Sequence, residues 1–315
     1  MPKPRKVVIV GAGNVGSTFA YTIMRSGLAR EIVLIDMDRE RAEGEAMDLN
    51  HGLFFAPPVS IRAGDYDECA EAAVIVITAG ARQQPGESRL DLVQRNVAIC
   101  KSIMSEITSR TSEAIVIMVT NPVDALTYVA QEVSGWPHGR ILGSGTVLDS
   151  ARFRYLLSDH CKVDPRNVHA YVIGEHGDSE VPVWSMTHIA GVPMSQYCTL
   201  TCRHTCTDQD RAALFDEVRE SAYHIIESKG ATYYGVSMAL DRITSAILRD
   251  ENSVLTVSVR ADGCYGLEGV CLSLPAIVNR NGVDRVIETE LGANEQEALH
   301  RSAKVLGDVI AQIAL

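Results

Sequence analysis

The chain has 315 residues, enough for two ordinary domains or one large α/β domain, and its 46% hydrophobic content suffices for a sizeable core. Lys and Arg number 29 against 40 acidic residues, a net charge of -11 that argues against a nucleic-acid or anionic-membrane surface, so an anionic ligand must be caught by a few local arginines. The basic MPKPRK is followed by an apolar run that GAGNVG cuts short, leaving no signal-peptide core or membrane span, and the expected location is cytoplasmic. Eight cysteines without closely paired spacing fit reduced, mostly buried thiols better than a disulfide framework.

In chain order, KVVIV (6–10), EIVLID (31–36), AVIVIT (73–78) and AIVIMVT (114–120) are nearly continuous apolar runs separated by longer helical patterns. Such strands are expected in a parallel sheet covered by helices on both faces. After residue 143 the pattern changes: a helical segment from Leu148 to His160, the alternating VHAYVIG, a helical stretch over 208–248, and VLTVSV at 254–259. The fold class is therefore α/β, a doubly wound parallel sheet over residues 1–143 followed by an α+β domain over 144–315.

GAGNVG stands directly after the first strand and before the helical run STFAYTIMRSG, with Gly27 placed to end that helix. Gly11 permits a tight turn, Gly13 lets a pyrophosphate approach the backbone, and Gly16 lets helix and strand pack. Asn14 and Val15 open the helix, whose amino terminus attracts phosphate. Asp36, at the end of the second strand, can accept both ribose hydroxyls and repel a 2′-phosphate, which favours NAD over NADP.

A nucleotide site names no reaction. In VLDSARFR, Asp149 and Arg152 are three apart on a predicted helix and share a face, while Arg154 projects nearly opposite. In GEHGDSE, His176 follows a strand-like segment in a loop setting that can present imidazole to a cleft, where an Asp partner would favour its protonated form. Spacing alone does not join Asp149 to His176. A surface ion pair and an ordinary loop histidine are the competing readings.

The motifs GAGNVGS, LIDMD, ITAGARQQPGESRLDLVQRN, VTNPVD, GSGTVLDSARFR, GEHGDSE and KGATYYG, in that order, make the chain resemble the lactate and malate dehydrogenase family, and its bacterial lactate-type NAD-dependent members in particular. The resemblance runs over essentially the whole chain. It implies a Rossmann domain followed by an α+β substrate domain. It also implies that His176 exchanges the proton with Asp149 behind it, that Arg152 holds the substrate carboxylate, and that Arg89 polarises the carbonyl. Asn121 would bond near that carbonyl and the nicotinamide ribose, Thr232 would line the substrate pocket, and Gly80 would join the cofactor-binding set.

Residues 81–89, ARQQPGESR, have the composition of a hinged lid over the cofactor, an ordinary polar loop being the alternative. Malate dehydrogenases resembling this chain carry Arg six positions before the residue matching Arg89, and here that position is Gln83. A neutral Gln leaves a second carboxylate unpaired in a closed pocket and suits the methyl group of pyruvate. Arg82 reaches the position only with a gap before Pro85, and Glu87 supports the lactate-type alignment. The resemblance further implies that Arg154 and His169, from adjoining subunits of a homotetramer, bind fructose 1,6-bisphosphate as activator.

CTLTCRHTC spaces Cys198, Cys202 and Cys206 four apart with His204 between them. On a helix the thiols would share a face without the histidine, and the resemblance implies variable loop or strand here, so free thiols are expected and no metal. Three alternatives remain: a malate dehydrogenase; an NAD-dependent glycosidase, whose metal-holding Cys is missing from TNPVD; and a noncatalytic NAD-binding regulator, which would need neither His176 nor the arginines.

Overall fold

The structure is a computed structural model that describes residues 5–82, 86, 88–202 and 207–313, with Arg89 and Cys202 described by their backbone alone. The first half runs β1 (Lys6–Val10), α1 (Asn14–Ser26), β2 (Glu31–Ile35), α2 (Arg39–His51), β3 (Ser60–Ala63), β4 (Val74–Ile77), α3 (Arg89–Thr108), β5 (Ile115–Met118), α4 (Val123–Ser134) and β6 (Ile141–Gly143). The second half begins with α5 (Val147–Cys161), then the short strands β7 (Val168–His169), β8 (Val172–Ile173), β9 (Val181–Pro182), β10 (His188–Ile189) and β11 (Val192–Pro193). It closes with α6 (Met194–Tyr197), α7 (Asp208–Lys229), α8 (Tyr234–Arg249), β12 (Ser253–Arg260), β13 (Cys271–Asn279), β14 (Gly282–Val286) and α9 (Ala293–Ile310).

Strands β3-β2-β1-β4-β5-β6 are parallel. Their continuous apolar character follows from burial on both faces: Val7, Ile9, Val74, Val76, Ile115 and Ile117 enter one core, while Val8, Val10, Ile75, Ile77, Val116 and Met118 enter the other. Helices α1 and α8 cover the first face, and α3 and α4 the second. Strand order reverses between β1 and β4, which opens a crevice at their carboxyl ends.

The second half continues this sheet. β12 pairs antiparallel with β6 through Ser258 and Gly143, and β13 and β14 follow to make nine strands. Gly143 permits that join, since a Cβ there would lie 2.5 Å from Thr127 Oγ1 and 2.8 Å from Ser258 Cβ. One core runs from Val7 through Leu274 to Leu306, so the two halves are welded along a shared layer.

Two expectations need correction. The helical stretch over 208–248 is two helices, because Gly230, at φ 84°, ends α7 before α8 begins. The segment from Met194 to Cys202, expected as variable loop or strand, is helical: α6 runs into a widened turn over Cys198–Cys202 that buries Cys198 completely. The side chain of Cys202, and His204 and Cys206, lie outside the described residues. The six cysteines whose side chains are described form no disulfide, and only Cys264 among them is not buried. Among the described residues no helix is long and apolar enough to cross a membrane.

Candidate active site

Gly11 begins the turn after β1 at φ 109°, and a Cβ on it would meet Ala79 N at 2.6 Å. A Cβ on Gly16 would collide with the Gly11 carbonyl oxygen, whereas one on Gly13 would meet nothing within 4 Å. Two glycines therefore serve packing, and the third leaves open space in front of the helix. Gly13 caps α1 with no side-chain hydrogen bond and no acid follows in the first turn, so the first N–H groups of the helix, at Asn14, Val15 and Gly16, face that space unsatisfied. Asp36 stands beside them, its carboxylate accepting from Ala12 N at 2.7 Å and Asp38 N at 3.0 Å. This cradle fits a dinucleotide: donors for phosphate, an acid for ribose, and room where a side chain would obstruct.

The loops after β4 and β5 form the next wall. Gly80 packs so close to Thr120 that a Cβ would overlap the threonine methyl. Asn96 of α3, 3% exposed, ties the two loops together: its Oδ1 accepts from Ala81 N at 2.7 Å, and its Nδ2 donates to the Asn121 carbonyl at 2.9 Å. Asn121 turns its exposed side to a cleft of about 280 Å³, which His176, Asp149, Arg152, Glu180 and Arg219 also line.

In that cleft the fold joins residues that spacing left apart. Asp149, in the first turn of α5, is 2% exposed, so it is no surface ion pair. Its Oδ2 lies 2.6 Å from His176 Nδ1 and its Oδ1 accepts from Arg152 at 2.8 Å. The i, i+3 spacing lets Asp149 and Arg152 share a face, and the loop between β8 and β9 brings His176 over them. Nδ1 is occupied by Asp149, which leaves Nε2 as the ring nitrogen available to a ligand. Arg152 uses one of its five N–H donors on Asp149 and is 15% exposed to the cleft.

Burial opposes a charged His176, but the Asp149 charge and hydrogen bond, aided by Asp124 and Glu180, overcome it and push the imidazole up to about 9. Burial likewise opposes ionisation of Asp149, yet His176 and Arg152 hold it below the usual carboxylate range. Glu180 goes the other way: burial, then the nearby Asp149 charge, push its carboxyl up to about 9, so it is neutral at physiological pH. The site at pH 7 is thus an imidazolium on an ionised Asp, a free guanidinium edge, and a protonated acid in the same wall.

The remaining expected residues are more scattered. Arg89 is the first residue of α3, a helix start fixed by reciprocal bonds between Ser88 and Asp91. The Arg89 side chain, Gln83 and Glu87 lie outside the described residues. Arg82 is exposed, and its carbonyl is held by Arg95 at 2.8 Å. Thr232 sits in the α7–α8 connection and does not line the cleft around His176. Arg154 points away from Arg152, as the helix geometry requires, donating to the Ala170 carbonyl at 2.8 Å and lying 5.1 Å from the centre of the Tyr171 ring. His169 is exposed on β7 next to that carbonyl. Sequence reasoning missed Asn96, Asp124 and Glu180. Asn96 carried a signal, a polar residue on the apolar stripe of Val93, Val97 and Cys100, and Asp124 another, the sole charge in VDALTYVA.

Residues 5–143 match the family described as lactate/malate dehydrogenase, NAD binding domain, and residues 146–314 match its alpha/beta C-terminal domain. The chain belongs to the lactate/malate dehydrogenase family. The L-lactate dehydrogenase of a Thermoanaerobacter species is 54% identical over 308 residues, covering 98% of this chain and 99% of that one. The L-lactate dehydrogenase of Priestia megaterium is 53% identical over 305 residues, covering 97% and 95%. Among solved structures, the minor L-lactate dehydrogenase of Enterococcus mundtii in a ligand-bound form superposes with a TM-score of 0.96 at 43% identity, over 99% of both chains. This dehydrogenase is an NAD-dependent 2-hydroxy-acid oxidoreductase, and its cofactor is NAD.

Proposed function

We propose that this dehydrogenase interconverts pyruvate and L-lactate, with His176 as proton donor and acceptor. The observation that carries the chemistry is the His176–Asp149–Arg152 constellation around a buried carboxylate, 2.6 Å and 2.8 Å between partners, in a fold that also presents an uncapped glycine-rich helix start. Held in the cradle of Gly11, Gly13, Gly16 and Asp36, NAD would supply the hydride chemistry in either direction. His176 Nε2 gives its proton to the ketone oxygen as negative charge grows there, and Asp149 holds the imidazolium in orientation. The outward N–H edge of Arg152 fits a carboxylate through two parallel hydrogen bonds. Asn121 meets the carbonyl end from the β5 loop. By their motif positions, Arg89 polarises that carbonyl, Thr232, outside the cleft lining in this structure, closes on the substrate from the α7–α8 connection, and Gln83 rejects a second carboxylate. The segment 81–89 acts as the lid that carries Arg89 and Gln83 over the cleft and excludes water.

The choice of pyruvate over oxaloacetate rests on the uncharged Gln83, and the two named L-lactate relatives support it. For regulation, the half-buried Arg154, turned away from Arg152, and the exposed His169 next to Ala170 support an anion site between subunits, fructose 1,6-bisphosphate being the activator and the assembly a cytoplasmic homotetramer. Phe54 at 90% and Phe55 at 74% exposure are apolar surface of the kind a subunit contact covers. The division into a cofactor domain, 1–143, and a substrate domain, 144–315, is functional: the first presents the cradle, the second the proton donor and Arg152.

NADH oxidation with pyruvate tests the reading. His176→Asn should abolish turnover while NADH still binds, and normal turnover in that variant contradicts it. Fructose 1,6-bisphosphate should raise activity at subsaturating pyruvate in the parent protein and not in Arg154→Ala. An unresponsive parent refutes the regulatory part alone.

A further inference from the structure

Beside the cleft around His176 lies a larger cavity, of about 500 Å³ against 280 Å³, that the chemistry above leaves unused. Its walls are apolar: Leu90 and Val93 of α3 stand on one side, and Val305, Leu306 and Val309 of α9 on the other. Val93, Pro122, Glu175 and Asp178 line both cavities, so the two open into one another. This shared neck adjoins the reacting centre on both sides, since Pro122 follows Asn121 and Glu175 precedes His176.

Polar ties hold the annex in shape. The Ser302 hydroxyl of α9 accepts the Glu175 N–H at 2.7 Å, which pins α9 to the β8–β9 loop, and Gln94 of α3 donates to the Gln312 carbonyl just past the end of α9. The two acids at the neck face partners of their own: Glu175 accepts from the Ser179 hydroxyl, and Asp178 from the Tyr223 hydroxyl at 2.9 Å. A preformed apolar pocket costs a ligand little reorganisation, and an acidic neck opposes a second carboxylate. Both features select an uncharged hydrocarbon chain.

We propose that cleft and annex together form a substrate site for 2-oxo acids with branched aliphatic side chains, of the size of 4-methyl-2-oxopentanoate, which the enzyme reduces alongside pyruvate. The proposal rests on the reading of the cleft as a pyruvate site.

Arg152 and His176 hold the carboxylate and the ketone oxygen as they do for pyruvate, and the side chain crosses the neck to lie between α3 and α9. C2 gains a hydride from NADH, the ketone oxygen gains the His176 proton, and the products are the 2-hydroxy acid and NAD. Gln83 and the neck acids act in the same direction, since both disfavour a charged side chain. Only the annex rewards length: each methylene that leaves water there is worth about fourfold in affinity.

NADH oxidation with 4-methyl-2-oxopentanoate, pyruvate and 2-oxoglutarate tests the site. The parent should reduce the branched acid with a kcat/KM within about tenfold of that for pyruvate, and 2-oxoglutarate roughly a hundredfold less well than either. Val305→Phe puts a ring into the annex from a position 42% exposed, so the fold can accept it. It should lower kcat/KM for the branched acid roughly tenfold while the value for pyruvate stays within about twofold, and Val309→Phe repeats the test from the next turn of α9. A parent that reduces pyruvate but not the branched acid overturns the proposal. So does a branched-acid rate that neither variant changes, the result expected if the annex receives a second copy of the chain. Binding of N-isobutyl oxamate, which carries the branched chain on an amide carbonyl that takes no hydride, is read by the fluorescence of bound NADH. It should weaken roughly tenfold from the parent to Val305→Phe while binding of oxamate itself holds. If pyruvate is not reduced at all, the pyruvate reading fails, and this titration still decides on the annex: equal binding in parent and variant overturns it.

Discussion

Replacing Asp149 by Asn keeps the shape of the partner and removes its charge, which is the cleanest perturbation of the proton donor. In the parent, a rise from an ordinary 6.5 to about 9 amounts to roughly 3 kcal/mol of net preference for the imidazolium. Asp149 contributes more than this net, because its attraction must first overcome the opposing effect of burial. Without it, burial acts against only Asp124 and a mostly neutral Glu180, and the His176 midpoint should fall to 6.5 or below. At pH 7.5 about a tenth of the enzyme then carries the donated proton, a roughly tenfold loss by protonation alone. Loss of the Nδ1 bond at 2.6 Å also frees the ring to rotate, so kcat for pyruvate reduction should drop roughly a hundredfold or more. The assay is NADH oxidation at saturating pyruvate from pH 5 to 9.5. The signature is partial rescue toward pH 5.5, where the parent gains little. A variant with parental kcat at pH 7.5, or a loss that acid does not relieve, refutes the coupling.

Gly13→Ala and Gly16→Ala should separate the two uses of glycine in the cradle. The first meets nothing within 4 Å and should fold with a parental melting temperature but bind NADH at least tenfold more weakly in a fluorescence titration, since its methyl enters the space left for phosphate; the second collides with the Gly11 carbonyl and should melt several degrees lower. Glu180→Gln tests the buried acid through stability. The folded state keeps that proton up to about 9 while the unfolded chain releases it near 4.5, so folding stability from this group is present below pH 4.5 and is lost as pH rises toward 9. Thermal melts should therefore show Glu180→Gln gaining on the parent progressively from pH 5 to pH 9. Arg152→Lys should raise the KM for pyruvate at least tenfold with NADH affinity unchanged, because an ammonium cannot reproduce the planar fork.

Much of the fold is written in strands buried on both faces. Val7 to Val10, Val74 to Ile77 and Ile115 to Met118 have no solvent side, so they read as unbroken apolar runs, and Gly27, at φ 67°, punctuates α1 as expected. The short β3 and β6 gave no such run: SIRA is half polar and ILG spans only three residues. Their strand character comes from neighbours. The extension of the sheet through β12 was invisible because it depends on a single Ser258–Gly143 pairing between residues 115 positions apart with unrelated local pattern. In the site, Asp149 and Arg152 were legible as a helix face, and His176 as a loop histidine. Spacing did not show their union, which only the resemblance implied, since the His176–Asp149 contact exists only after α5 and the β8–β9 loop are packed. The neutral state of Glu180 is likewise a property of burial, which GEHGDSE does not encode by itself.

The claim that decides the account is the discrimination against a second carboxylate. Specificity constants for pyruvate and oxaloacetate, measured side by side with NADH for the parent and for Gln83→Arg, test it most directly. The account predicts a larger kcat/KM for pyruvate in the parent and a clear shift toward oxaloacetate in the variant. A parent enzyme that prefers oxaloacetate would contradict it.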